Sequence, residues 1–143
     1  MSDLGFTHIA LPVADVGASV AFYAKYARMR VVHRRKDSES AGEVVWVSDG
    51  TRPFVLVLIG VGRVEHPLVP WAHLGVGCES REEVDRLCAE AGAERRLLKG
   101  PTDSGYPVGY WALLSDPDGH TLELSFGQEV GLTVERATET RPA

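Results

Sequence analysis

Phe6-Thr7-His8-Ile9-Ala10-Leu11 and Trp71-Ala72-His73-Leu74-Gly75-Val76 are two versions of one segment, set 65 residues apart. The same offset carries Asp15 onto Ser80. Each copy therefore reads as a strand bearing a histidine, then a helix N-cap residue, then a helix. Outward from the first copy, residues 6–13 alternate and predict a strand. Asp15 then caps a helix running to about Arg28, with Val16, Val20, Tyr23 and Ala27 at helical spacing. Strands are expected over 29–35, 43–48 and 54–59, parted by the polar turns 37–42 and 49–53. The run 54–59 is apolar throughout, which predicts burial on both faces. A Gly/Pro-punctuated linker covers 60–70.

The second copy repeats the order. Residues 71–78 predict a strand, and Ser80 caps a helix to about Ala91 with Glu83 placed for a capping box. Strands follow over 94–99 and 105–115, the latter irregular at its start because of Pro107. Asp116-Pro117-Asp118-Gly119 is a turn, with Pro second and Gly fourth. Residues 120–126 form the last strand, and 128–143 is a polar tail read as an extension or as disordered. Each half is β-α-β-β-β and too small to bury its own sheet face. The expected fold is therefore α+β: two paired β-α-β-β-β modules forming a cupped mixed sheet with helices on the outer face. It is read as one domain over 1–143, with module one about 5–60, linker 61–70, module two about 71–127 and tail 128–143.

Composition narrows the function classes. The chain has 143 residues, 44% hydrophobic and 24% charged, with a net charge of −5. That is a globular protein with enough chain for a real core. The one tight basic run, Arg34-Arg35-Lys36, reads as a solvated strand end, so no nucleic-acid partner is expected. No apolar stretch is long enough for a bilayer and the N-terminus does not read as a signal peptide, so no membrane partner is expected. Cys78 and Cys88 suit a reducing compartment, and the chain is read as cytoplasmic.

Strand parity outlines a site. In the last strand Thr121, Glu123 and Ser125 share a polar face, and Leu122, Leu124 and Phe126 share an apolar one. Trp71, His73, Gly75 and Gly77 share a face in the fifth strand, as Phe6, His8, Ala10 and Pro12 do in the first. Two small-residue faces each carry a histidine, and a third carries a carboxylate. Two imidazoles and a carboxylate suit a divalent iron, manganese, zinc, nickel or cobalt ion and leave open positions for substrate oxygens. The plain alternative is that His8 and His73 are ordinary strand histidines and Glu123 a solvated one. Trp46, Trp71, Tyr106, Tyr110 and Trp111 are candidate aromatic walls. His33 is a candidate base or a residue that would orient a ligand from behind, His66 reads as solvated, and His120, pointing away from Glu123, reads as a surface or turn residue.

The stretch Phe6-Thr7-His8-Ile9-Ala10-Leu11-Pro12-Val13-Ala14-Asp15, the Ala21-Phe22-Tyr23 of the first helix and Asp116-Pro117-Asp118-Gly119-His120-Thr121-Leu122-Glu123 resemble the vicinal oxygen chelate superfamily. That superfamily includes glyoxalase I, methylmalonyl-CoA epimerase, extradiol dioxygenases, fosfomycin-resistance transferases and bleomycin-resistance proteins. The resemblance covers roughly residues 5–127. It implies a metal held by His8, His73 and Glu123, the positions matching the family's ligands. It also implies a homodimer, with His8 and the His73/Glu123 pair drawn from one chain or from two. Glyoxalase I usually adds a fourth ligand, a glutamate on the last strand of the first module; the matching place lies within 56–58, where every residue is apolar. The polar residues of the fosfomycin enzymes are not matched between 97 and 110, and the inferred cavity faces carry few cations. Tyr110 and His120 are the residues open to the extra tyrosine and histidine roles of extradiol dioxygenases.

The reading from sequence is a metal-dependent enzyme, a lyase, isomerase or dioxygenase, with the metal as Lewis acid or oxygen-activating centre. Its substrate is expected to be small, largely apolar or aromatic, with vicinal oxygens; Trp46, Trp71, Tyr110 and His33 are its candidate contacts. No general base is assigned. The alternative is a metal-free protein of the bleomycin-resistance type that sequesters a drug or metabolite.

Overall fold

A computed structural model describes residues 2–37 and 42–139. The turn expected at 37–42 therefore falls mostly outside the described residues. The chain divides into two compact units, Met1–Val69 with Asp116–His120, and Pro70–Ser115 with Thr121–Ala143.

The first unit contains β1 (His8–Val13), α1 (Val16–Ala27), β2 (Arg30–Lys36), β3 (Glu43–Ser48) and β4 (Val55–Gly60), with sheet order β1-β4-β3-β2. β1 lies parallel to β4, and the other pairs are antiparallel. The Asp15 side chain accepts the Ala18 N–H at 3.0 Å, so the helix begins where the sequence predicts. It stops at Arg28, a left-handed residue whose N–H reaches the Tyr23 carbonyl. Its buried residues, Val16, Ser19, Phe22, Tyr23, Tyr26 and Ala27, form one helical stripe.

Parity sorts the sheet. Leu11, Val13, Val45, Val47, Leu56 and Leu58 are at most 2% exposed and occupy one set of alternating positions. The opposite set, including His8, Ala10, Trp46, Val55, Val57 and Ile59, lines a cavity of about 690 Å³. The apolar run of β4, expected to be buried on both faces, is thus buried on one face and forms a cavity wall on the other.

The second unit contains β5 (Leu74–Gly77), α2 (Arg81–Ala93), β6 (Leu97–Asp103), β7 (Tyr110–Ser115), β8 (Thr121–Phe126) and α3 (Val130–Glu139), with sheet order β5-β8-β7-β6. β5 is parallel to β8, so both sheets are mixed in the same pattern. Ser80 Oγ accepts the Glu83 N–H at 3.1 Å. The Glu83 carboxylate reaches back to the Glu79 N–H at 2.6 Å, one residue before the cap. Val84, Leu87, Cys88 and Ala91 form the buried stripe of α2. β6 lies further along the chain than expected, its pairing with β7 interrupted by register shifts.

Two expectations are corrected. Residues 130–139 of the tail are α3, although the helix buries none of its side chains. On β8, Thr121 and Ser125 are 3% exposed while Phe126 is 37% exposed, so the polar and apolar faces are not cleanly wet and dry. Ser125 Oγ donates to the Val76 carbonyl at 3.3 Å, while Phe126, still paired with Tyr110, is the last residue of β8. The β-α-β-β-β order holds in both modules. Among the described residues, no helix is long and apolar enough to cross a membrane. Among the described residues, neither Cys78 nor Cys88 takes part in a disulfide.

Candidate functional site

His73 and Glu123 meet within the second unit. Glu123 sits at the middle of β8, opposite Gly75 of β5 on one side and Leu113 of β7 on the other. A Cβ placed on Gly75 would meet nothing within 4 Å, so the space beside the carboxylate is open. His73 precedes β5 by one residue, and its Nε2 lies 3.4 Å from Glu123 Oε2. The other ring nitrogen, Nδ1, is 2.7 Å from the Trp71 carbonyl oxygen. A carbonyl only accepts, so Nδ1 carries the proton, and a neutral ring turns the Nε2 lone pair toward the carboxylate. Gln128 Nε2 donates to Glu123 Oε1 at 3.2 Å and holds the carboxylate from its other side.

Two lone-pair atoms facing one another call for a cation between them, a proton or a metal ion. Ligands each held about 2.1 Å from one ion sit about 3.0–3.4 Å apart, from octahedral to tetrahedral geometry. The 3.4 Å separation fits this range. The outer hydrogen bonds, imidazole to carbonyl and amide to carboxylate, are those that orient metal ligands.

His8 opens β1 in the first unit. Its Nδ1 lies 3.0 Å from Thr7 Oγ1, and its ring lines the cavity of that unit. Register clarifies what module one lacks. Ala10, which matches Gly75 at the 65-residue offset, pairs with Val57, just as Gly75 pairs with Glu123. The first-module counterpart of Glu123 is therefore Val57, and its side chain is a cavity wall. No carboxylate stands there to act as a fourth ligand.

The aromatic candidates separate. Trp46 lines the first-unit cavity, with His33 at 4.8 Å and the Arg35 guanidinium at 5.6 Å from its ring. His33 packs on Trp46 and is not itself among the cavity-lining residues. Trp71 was expected to share a strand face with His73, but the strand starts at Leu74 and the indole is 89% exposed. Its backbone carbonyl, which binds His73, is its contact with the site. Tyr110 donates its hydroxyl to Asp85 of α2 and lies beneath the Arg81 guanidinium, 4.6 Å from the ring centre. Asp85, the largest cause, and burial raise the Tyr110 phenol above its ordinary pKa. These contacts make Tyr110 a latch between strand and helix. Arg35 and Arg52 also line the first-unit cavity, so it carries more cationic character than the sequence suggested.

Asp116, Asp118 and His120 also bring ligand-type atoms within 4.8 Å of one another. His120 is not a surface residue: it is 1% exposed. Its Nδ1 accepts the Leu68 N–H at 3.0 Å, and its Nε2 donates to the Pro12 carbonyl at 2.8 Å. Asp116 Oδ1 accepts the Asp118 and His120 N–H groups, and Oδ2 accepts the Tyr23 hydroxyl at 2.8 Å. Asp118 accepts the Ala14 N–H at 3.0 Å and the Ser19 hydroxyl at 3.4 Å. With lone pairs taken by N–H and O–H donors, this cluster is a polar knot tying the Asp116–His120 turn to β1, α1 and the linker. Turn chemistry announced the loop; the buried contacts of His120 had no signal in the sequence.

Comparison with known proteins places the fold. Residues 5–124 match the Glyoxalase/Bleomycin resistance protein/Dioxygenase superfamily. An uncharacterized Pseudomonas aeruginosa protein is 38% identical over 128 residues, covering 87% of this chain and 90% of that one. Glyoxalase I of Leishmania major superposes with a TM-score of 0.73 at 23% identity, covering 94% of this chain and 95% of its own. A fosfomycin resistance protein of Listeria monocytogenes, solved as a glutamate-to-glutamine mutant with manganese(II) and a dihydroxypropylphosphonic acid, gives 0.70 at 17% identity, covering 93% and 99%. The two β-α-β-β-β modules, each with a mixed sheet, and the family match over most of the chain lead to one conclusion: this protein belongs to the glyoxalase, bleomycin resistance and dioxygenase superfamily, the vicinal oxygen chelate proteins.

Proposed function

We propose that the protein is a metal-dependent enzyme in which His8, His73 and Glu123 hold one divalent cation for a small, largely apolar or aromatic substrate with vicinal oxygens. The observation that carries this reading is the approach of His73 Nε2 to Glu123 Oε2, each oriented by a hydrogen bond on its far side. His8 enters as the counterpart of His73 at the 65-residue offset. Three ligands leave coordination positions open, and the ion would supply Lewis acidity to paired substrate oxygens or a centre for oxygen activation. The chain's own part is to orient these ligands and to offer an apolar wall, Val55, Val57 and Ile59, beside His8. Val57 in place of a carboxylate argues for a three-ligand centre. The protein is proposed to act in the cytoplasm as a homodimer.

Elemental analysis of protein purified without chelator or a metal-binding tag tests this. Near-stoichiometric iron, manganese, zinc, nickel or cobalt is expected, lost in His73→Ala and Glu123→Ala and retained in Asp118→Asn. Metal that survives both ligand substitutions refutes the assignment. Absence of metal uptake on titration, with tight metal-independent binding of an aromatic ligand, establishes the sequestering protein instead.

A further inference from the structure

We infer that the first-unit cavity recognises an organic anion, a flat apolar body bearing a carboxylate, with Trp46 as its platform and Arg52 as the group that reads its charge. The inference names the substrate class of the site proposed above and rests on that reading for its catalytic meaning, though not for binding itself.

Arg52 stands on a connection built to hold it still. Ser48, 7% exposed, donates its hydroxyl to the Phe54 carbonyl at 2.8 Å and accepts the Gly50 N–H at 3.1 Å. Asp49 accepts both the N–H and the hydroxyl of Thr51, at 2.8 and 2.7 Å. The Phe54 N–H closes on the Arg52 carbonyl at 2.8 Å around Pro53, a three-residue turn. This stitched loop delivers Arg52 to the lining of the cavity. A guanidinium on a preorganised loop loses less freedom when it binds a carboxylate, and its planar fork matches that group.

Two guanidinium groups, Arg35 and Arg52, and an indole N–H stand in the lining among the described residues. Arg35 lines the cavity and gives Nε and Nη2 to Asp37, leaving Nη1 outside that pair. Trp46 lines it too, and its indole Nε1 is buried with no hydrogen-bond partner among the described residues. A buried donor of this kind is costly unless a ligand or water accepts from it. Against these stands Asp3, the one carboxylate in the lining among the described residues. The apolar remainder, Phe54, Val55, Val57 and Ile59, suits a hydrocarbon or aromatic body.

The test compares 2-naphthoate with its neutral counterpart 2-naphthamide by titration calorimetry on the full chain. The same samples are followed by the indole N–H resonance of Trp46, assigned with Trp46→Phe. Naphthoate is expected to bind about tenfold more tightly than the amide, as a charge-assisted pair allows. Arg52→Gln should bring that ratio near one, and Asp3→Asn should strengthen naphthoate binding. The Trp46 N–H signal should shift with naphthoate. Equal binding of the two probes, binding of neither, or an unchanged ratio in Arg52→Gln overturns the inference. Metal content of the same samples separates the two readings. Metal retained without anion preference sinks this one alone, whereas preference without metal sinks the metal assignment alone.

Discussion

Tyr23→Phe removes one hydroxyl and nothing else from the polar knot, and its cost is set by what that hydroxyl holds. Tyr23 is 1% exposed, and its hydroxyl donates at 2.8 Å to an Asp116 carboxylate that is 2% exposed. The ring, edge-on to Phe22 at 5.1 Å, stays in the core, so the apolar burial is kept. The loss is a hydrogen bond to a charged, buried acceptor, worth about 1.5–3 kcal/mol. About 2 kcal/mol in a chain of this length lowers the melting temperature by about 6 °C. Urea unfolding should show the midpoint falling with the slope unchanged. A double-mutant cycle with Asp116→Asn should recover most of the cost as coupling. Alkaline pH gives an independent sign. Burial first, then Asp116, raises the Tyr23 phenol far above its ordinary value. The folded protein keeps this proton where the unfolded chain, ionising near about 10, loses it, so rising pH favours unfolding from there upward. Tyr23→Phe should lose stability less steeply above that pH. A cost under about 0.5 kcal/mol would show that the bond is not a net stabiliser and refute the reasoning.

Other consequences are as direct. Burial pushes the Cys88 thiol up to about 11, so its contribution is intact below about 8.5, where an exposed thiol ionises, and is lost as pH rises toward 11; Cys88→Ala should flatten stability measured across that window. Ser80→Ala removes the acceptor for the Glu83 N–H and should cost about 1 kcal/mol in thermal unfolding, with metal content unchanged. Gly109 has φ +80 and an added Cβ would come 2.5 Å from the Phe126 carbonyl, so Gly109→Ala should destabilise by about 2 kcal/mol or more, read as a lowered urea midpoint. Gln128→Ala frees one side of Glu123 and should weaken metal affinity about tenfold in a competitive chelator titration, with stability changed little.

The sequence by itself determined the module. Apolar alternation, the cap residues Asp15 and Ser80 and the Asp116-Pro117-Asp118-Gly119 turn are local signals, and both capped helices and the turn stand where those signals lie. The 65-residue repeat turned one module into two and pointed to His8 and His73 as counterparts. Boundaries resting on pairing were less legible: β5 starts at Leu74 and β6 slides to Leu97–Asp103, because ladder bonds and register shifts, which have no residue signature, set a strand's ends. Tertiary structure alone decided which groups met. It set His73 against Glu123, placed Val57 at the first-module position that matches Glu123, left the Trp71 indole in solvent and sank His120 between two backbone groups. Periodicity tells which face a side chain takes; what lies opposite it depends on contacts between segments far apart in the chain, and those exist only once the sheets have formed.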